Sequence, residues 1–392
     1  MFLLATAGKK SYNGREVKTM TAARLLGLYI HIPFCKSKCA YCDFYSLAHS
    51  EEQMDAYCAA LKSDLIRRVD AAKAHTVDTV YFGGGTPSYL GDKRLVPLLE
   101  SILSHYRVAP DAEITFEANP DSARDIDALK TLRAAGFNRI SLGAQSFDDG
   151  ELREIGRIHT TSEIAQSVSA ARAAGFDNLS LDLIYGLPHQ TMSRWRENLN
   201  AALALTPEHL SCYGLKVEEG TPLYQRRESA QLPDDDAQAD FYLETVEMLT
   251  RCGYVQYEIS NFARSDLTSR HNLKYWTLGE YLGFGPGAHS DFGGHRFAVA
   301  RDLSAYLAGK TVLSEDTAIT RRERQREYFL LGLRTVHGIC ETETDADFAA
   351  AEEVLRECAS HGLAEKNGGR WCLTPQGFLV SNAVIARVLD AI

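Results

Sequence analysis

Three thiols dominate the chemistry open to this sequence. Cys35, Cys39 and Cys42 stand in HIPFCKSKCAYCDF with C-x3-C-x2-C spacing, so eight consecutive residues carry three soft ligands. Thiolates are the usual ligands of iron–sulfur centres, which normally take four. Three would leave one iron of a 4Fe–4S cubane open to another molecule. Zinc is the rival reading, because Cys3His is an allowed site and His31 is near. Zinc motifs more often use paired C-x2-C units, however, and no second pair occurs. Most of the other six cysteines have bland readings. Cys58 falls on the helical stripe Met54, Cys58, Leu61, Leu65, Val69, and Cys212 lies inside the strand-like HLSCYGL, both as packed core thiols. An odd total of nine in 392 residues argues against a disulfide framework and for a reducing compartment.

The elements that must position these thiols are legible from periodicity. Strand-like runs occur at Leu28–Ile32, Thr79–Phe82, Glu113–Ala118, Arg139–Leu142, Leu179–Ile184, Leu210–Leu215 and Tyr254–Ile259. Amphipathic stretches between them, 51–72, 123–135, 161–174, 193–205 and 237–252, complete a βαβα pattern. RAAGFNRISL at 133–142 returns as RAAGFDNLSL at 172–181, and more loosely as RCGYVQYEIS at 251–260. Each copy reads as a helix end, a left-handed glycine stop (Gly136, Gly175, Gly253), an aromatic and a strand. The non-periodic motifs all follow strand ends: the cysteines, GGGTP (83–87), EANP (117–120), GAQSF (143–147), DLIYGLP (182–188) and KVEEGTP (216–222). One rim gathers them in a barrel, whereas a doubly wound sheet splits them into two crevices. The expected fold is α/β: a partial (β/α) TIM-type barrel of six or seven strand units over residues 25–265, after a lead-in at 1–24 in which Met20 is an alternative start. A connecting segment (266–320) rich in Gly, Tyr, Phe and His follows. The C-terminal unit (321–392) reads helix, hairpin around NGG (367–369), helix, which is winged-helix-like.

Composition narrows the function classes. Lys+Arg number 42 against 52 Asp+Glu, a net charge of −10, which disfavours a broad grip on a phosphate backbone. The acidic helix Asp345–Glu353 makes nucleic acid a poor partner for the C-terminal unit as well. No run approaches the roughly 18–20 apolar residues of a membrane span, and the N-terminal apolar stretch is short for a secretory signal. A cytoplasmic protein without stable membrane insertion is expected. The EEG run (218–220) and DDD (234–236) read as solvated loop charge.

The signature after the first strand resembles that of the radical S-adenosylmethionine (SAM) superfamily. YIHIPFC, GGGTP, E-x-N-P, SLGAQSF, GRIH and DLIYGLP stand in the order and spacing of the oxygen-independent coproporphyrinogen III oxidase family and its HemW relatives. The resemblance covers nearly the whole chain from Leu28. It implies that Cys35, Cys39 and Cys42 hold a 4Fe–4S cluster whose fourth iron SAM chelates. It also implies SAM contacts from Tyr29, Tyr41, Gly84, Gly85, Thr86, Glu117, Gln145, Arg157 and Asp182, with glycine backbone approaching the methionine moiety.

Two features separate the relatives. The decarboxylating oxidases continue the signature to C-x3-C-x2-C-x-C, and here that position is Phe44. His271-Asn272-Leu273-Lys274-Tyr275-Trp276 fits H-N-x-x-Y-W, the mark of HemW-type haem chaperones. The resemblance implies haem binding, with His271 as ligand and His289 as the alternative, and delivery to apoproteins such as respiratory cytochromes. Residue chemistry by itself also allows HNLKYW to pack the seam between barrel and C-terminal region, and His31 and His159 to be structural. A radical enzyme acting on a tetrapyrrole and a non-catalytic interaction protein are the other readings, and a homodimer is compatible with each.

Overall fold

The computed structural model describes residues 24–47 and 50–392. The expected lead-in lies outside them, apart from Arg24, which opens the first strand.

Six parallel strands succeed one another around an arc: β1 (Arg24–Ile32), β2 (His75–Gly84), β3 (Val108–Ala118), β4 (Arg139–Gln145), β5 (Leu179–Tyr185) and β6 (His209–Gly214). Each ladder joins neighbours in chain order. The order never reverses, so there is no switch point, and the segments after all six strands share one rim. Side chains alternate across the sheet. In β1, Leu26, Leu28, Ile30 and Ile32 are fully buried in the core, and Gly27, Tyr29 and His31 turn the other way, into the lumen. Contacts between lumen positions confirm that phase. Tyr29 stacks on Tyr81 with centroids 6.3 Å apart, the Tyr81 hydroxyl donates to Glu117 at 2.8 Å, and Ser141 donates to Asp182 at 3.2 Å. The expected helices are Glu51–Arg67, Ile126–Ala135, Thr161–Ala173, Met192–Ala204 and Asp235–Arg251. Gly136 and Gly175 of the repeated RAAGF stop two of them at φ 120° and 91°.

The seventh strand-like run is not a seventh stave. Residues 254–259 contribute only β7 (Val255–Gln256), which pairs antiparallel with β8 (Asn261–Ala263), and β8 lies antiparallel on β6. The helix Asp235–Arg251 supplies a crossover long enough for a parallel stave, but antiparallel β8 takes the place beside β6. Here the chain reverses within 257–260, where the Glu258 carboxylate accepts from the Ser260 N–H at 3.1 Å. At the other edge β9 (Tyr281–Phe284) pairs parallel with β1. Three short antiparallel strands extend it: β10 (His289–Phe292), β11 (His295–Val299) and β12 (Leu313–Ala318). They give order to a stretch with no clear period in the sequence.

The C-terminal part runs as helix Arg321–Gly332, helix Phe348–Ser360, hairpin β13 (Ala364–Asn367) and β14 (Arg370–Leu373), then helices Pro375–Leu379 and Ser381–Ala391. Its core, with Phe329, Leu355, Trp371 and Val388, includes Tyr242 from the barrel helix Asp235–Arg251. Among the described residues no helix is long and apolar enough to cross a membrane.

Candidate functional site: a thiol loop on the barrel rim

Cys35, Cys39 and Cys42 lie on the loop after β1, half-buried and unbridged. Backbone bonds fasten that loop to its neighbours. Gly85 N–H donates to Ile32 O and Thr86 N–H to Phe34 O, both at 2.7 Å, and Ala40 N–H donates to Ile155 O at 2.9 Å. A line of side chains then joins two of the thiols across three strand ends. The Thr86 hydroxyl donates to Cys35 Sγ (3.4 Å), Asn119 Nδ2 to Thr86 Oγ1 (3.0 Å), Arg157 Nη2 to Asn119 Oδ1 (2.6 Å) and Arg157 Nη1 to Cys39 Sγ (3.3 Å). Asn119 is the residue that sequence reasoning missed. It was visible inside EANP, and its amide accepts from the guanidinium through oxygen while donating to the hydroxyl through nitrogen. Gly143 makes room for this junction. A Cβ there would sit 2.8 Å from Gln145 Nε2, 3.1 Å from Asn119 Oδ1 and 3.2 Å from Arg157 Nη2.

The donor set suits an iron–sulfur cluster: three thiols, two of them already receiving hydrogen bonds, beside one guanidinium. Burial pushes the Cys35 and Cys42 thiols up, opposed at Cys35 by the Thr86 hydrogen bond and the Arg157 charge. Among the described residues no three His, Cys, Asp or Glu side chains are gathered closely enough to hold a metal ion. The crevice between Lys36, Cys39, Thr86, Asn119 and Arg157 measures about 10 Å³, the room of roughly one water.

The other rim residues converge on the same end. Half-buried Glu117 accepts from the Tyr81 hydroxyl and from Gly84 N–H (3.0 Å), and burial outweighs both bonds, raising its carboxyl to about 7. Asp182 accepts from Ser141 and Ser180, and burial raises it too. Tyr41 packs with Ile155, Ile184, Leu187 and Leu215. Tyr29 lies one layer deeper, its hydroxyl 3.1 Å from His31 Nδ1.

His271 reaches only the deepest of them, its ring stacked 6.4 Å from that of Tyr29. It sits near the start of the helix Arg270–Trp276, where Glu113 accepts from Arg270 N–H (2.9 Å) and His271 N–H (3.0 Å). Its fully buried ring stacks on Tyr81 with centroids 5.2 Å apart. Nδ1 lies 2.8 Å from the Thr79 hydroxyl and Nε2 2.9 Å from that of Tyr275. Burial, then the charges of Lys274 and Arg139, pulls its pKa down to about 3. Lys274 pairs with buried Asp78 at 2.7 Å. Asp78, Thr79 and Glu113 lie well before the C-terminal ends of their strands, so HNLKYW stoppers the barrel mouth opposite the cysteines. His289 is exposed and 3.2 Å from Glu315, while His31 and His159 bond to Tyr45 O and Ala144 O.

Similarity to known proteins runs along the same lines. The radical SAM superfamily model matches residues 29–202, and the HemN C-terminal domain model residues 319–380. The chain is 36% identical over 373 residues to the heme chaperone HemW of Bacillus subtilis (strain 168), covering 92% of this chain and 98% of that one. It is 37% identical over 373 residues to the heme chaperone HemW of Mycobacterium tuberculosis (strain ATCC 25618 / H37Rv), covering 93% and 94%. Its fold matches coproporphyrinogen III oxidase (HemN) from Escherichia coli, a radical SAM enzyme, with a TM-score of 0.81 and 27% identity over 94% of this chain and 91% of that one. At this identity over almost its full length, with the six-stave arc and the rim cysteines in place, the chain belongs to the HemW family of the radical SAM superfamily.

Proposed function

We propose that this chain is a haem chaperone: a cytoplasmic protein that holds a 4Fe–4S cluster on Cys35, Cys39 and Cys42, binds SAM beside it, carries haem, and hands that haem to apoproteins such as respiratory cytochromes. The observation that carries the cluster is the hydrogen-bonded line from Cys35 through Thr86, Asn119 and Arg157 to Cys39. Bound there and reduced, a cluster would supply the electron that splits SAM to methionine and a 5′-deoxyadenosyl radical. The chain's own residues supply position. Arg157 keeps a positive charge against the sulfur atoms, and Glu117, Gln145 and Asp182 offer polar groups to SAM, with Tyr29, Tyr41 and Gly84–Thr86 around it. On this reading 25–265 is the cofactor unit, 266–320 supplies the HNLKYW stopper and then rejoins the sheet as β9–β12, and 321–392 packs against the helix Asp235–Arg251.

Haem carriage rests on kinship with the heme chaperones. In the conformation described, both His271 ring nitrogens are engaged, so iron ligation by His271 requires the Thr79 or the Tyr275 hydroxyl contact to break. Phe44, 62% exposed where the oxidases carry a further cysteine, favours carriage over coproporphyrinogen oxidation. Anaerobic reconstitution followed by haem titration tests the proposal: a Soret band saturating at one haem per chain is expected. Conversion of coproporphyrinogen III to protoporphyrinogen with SAM and a strong reductant would instead make the chain an oxidase.

A further inference from the structure

A second cavity lies away from the thiol loop, between the ends of β5 and β6, the helix Asp235–Arg251 and the C-terminal unit. It measures about 430 Å³, within the roughly 300–1,000 Å³ of small-molecule sites. Its lining is mixed: Tyr185, Tyr242 and Phe378 contribute rings, and Asp235, Gln238 and Ser260 contribute polar groups. Strand alternation sets it outside the lumen. Asp182 faces inward, so Tyr185, three residues on, faces outward, its ring 5.7 Å from that of Trp195 on the helix side of the sheet. Two glycines shape the wall. A Cβ on Gly214 would stand 3.1–3.3 Å from the end of the Tyr185 side chain, and one on Gly186, at φ 75°, would strike the Gln238 amide.

The polar groups are uncommitted. Among the described residues, no side-chain hydrogen bond is made by the Asp235 carboxylate, the Gln238 amide or the hydroxyls of Ser260 and Tyr185, and Asp235 has no ion-pair partner. Each of the four can accept a hydrogen bond. No Lys, Arg or His among the described residues lines the cavity. The helix end beside Asp235 contributes roughly half a positive charge, which the three carboxylates of Asp234, Asp235 and Asp236 outweigh. Aromatic rings draw a cation to their negative faces. Rings beside a carboxylate therefore suit an organic cation, whose apolar stem meets the rings while its N–H groups meet the acceptors. We propose that this cavity binds such a cation, an ammonium or guanidinium group on an apolar stem, with the charge at Asp235 and the stem among Tyr185, Tyr242 and Phe378. That chemistry arrives either as a free amine or as a Lys or Arg side chain of a partner protein.

Binding is measured on the full chain by ligand-detected nuclear magnetic resonance. The probes are phenethylammonium, its neutral counterpart phenethyl alcohol, the anion hydrocinnamate, and a short alanine peptide carrying one arginine. Phenethylammonium is expected to bind about tenfold more tightly than the alcohol or the anion. Asp235→Asn should weaken the cation about fivefold and leave the alcohol unchanged. Asp236→Asn, one residue along and outside the cavity lining, should change neither. Ala239→Phe, which fills the cavity from the helix wall, should abolish binding of both cations while far-ultraviolet circular dichroism holds. Tighter binding of the arginine peptide assigns the site to a protein partner, and tighter binding of phenethylammonium assigns it to a free amine. Alcohol bound as tightly as the cation, equal losses in Asp235→Asn and Asp236→Asn, undiminished binding in folded Ala239→Phe, or no binding of either cation to wild type would each overturn the proposal.

Discussion

Truncating the barrel stopper has a calculable cost. In His271→Ala a fully buried ring is removed, and the Thr79 and Tyr275 hydroxyls, now 2.8 and 2.9 Å from its nitrogens, lose their partner. Each stranded hydroxyl costs about 1–3 kcal/mol, and an aromatic-to-alanine truncation in a packed core about 3–5 kcal/mol. The two accounts overlap, because the cavity admits water to the hydroxyls, so a net loss of about 4 kcal/mol is the reasonable figure. With a urea slope of about 3 kcal/mol per M, the unfolding midpoint falls by about 1.3 M. Equilibrium urea titration by far-ultraviolet circular dichroism, with the slope fitted independently, measures it. A shift below about 0.3 M at constant slope would refute the reasoning, since the ring would then be a passenger. The size of the effect also bears on haem titrations. A variant losing this much stability can lose its Soret band through the fold, so His271→Ala reports ligation only where its unfolded fraction has been measured.

Three further outcomes rest on named contacts. Glu258, fully buried, has its carboxyl raised to about 7, chiefly by burial. Its stabilising contribution is therefore complete below pH 4.5 and lost as pH rises through 7. Glu258→Gln should make stability rise more steeply between pH 4.5 and 7 than in wild type, read by urea midpoints across that window; an unchanged slope argues against the shift. In Gly85→Ala the new Cβ meets Phe34 O at 2.6 Å and Ile32 O at 2.8 Å, both backbone. It should force β2 from the thiol loop, cutting iron incorporation severalfold while far-ultraviolet dichroism holds; full iron content would show that the loop yields. Lys274→Met strands Asp78, whose side chain is 11% exposed, and should cost about 3–5 kcal/mol. The double variant Lys274→Met/Asp78→Leu should recover most of that, and a melting temperature no higher than the single variant's would count against the pair.

The arc was legible because each αβ unit repeats its own punctuation: a helix period, a glycine stop, an apolar run. The third echo, RCGYVQYEIS, kept the helix end and Gly253 but not the strand. A repeated local grammar fixes where a helix stops, and the direction of the chain beyond the stop depends on tertiary pairing, here the reversal at Glu258–Ser260 onto β6. Strands β9–β12 escaped because four-to-six-residue hairpin strands on an outer edge leave no long period. At the site, spacing exposed the thiols, and strand-end position exposed Glu117, Arg157 and Asp182. Asn119 was hidden because its importance lies in a geometry that links two loops distant in the chain. His271 was picked out as chemically capable, but its solvent exclusion and its two hydroxyl partners arise only from folding.

A closed barrel is a hoop: strand number and stagger together fix its diameter. Six staves, with antiparallel β8 beside β6 and parallel β9 with its antiparallel neighbours beside β1, form something closer to a spring clip. The angle that an arc subtends is a soft coordinate that a hoop lacks, since a small change of twist shared over the five ladders from β1 to β6 alters its curvature without breaking a hydrogen bond. The bore of such an arc follows the side chains packed into its base, here those of HNLKYW.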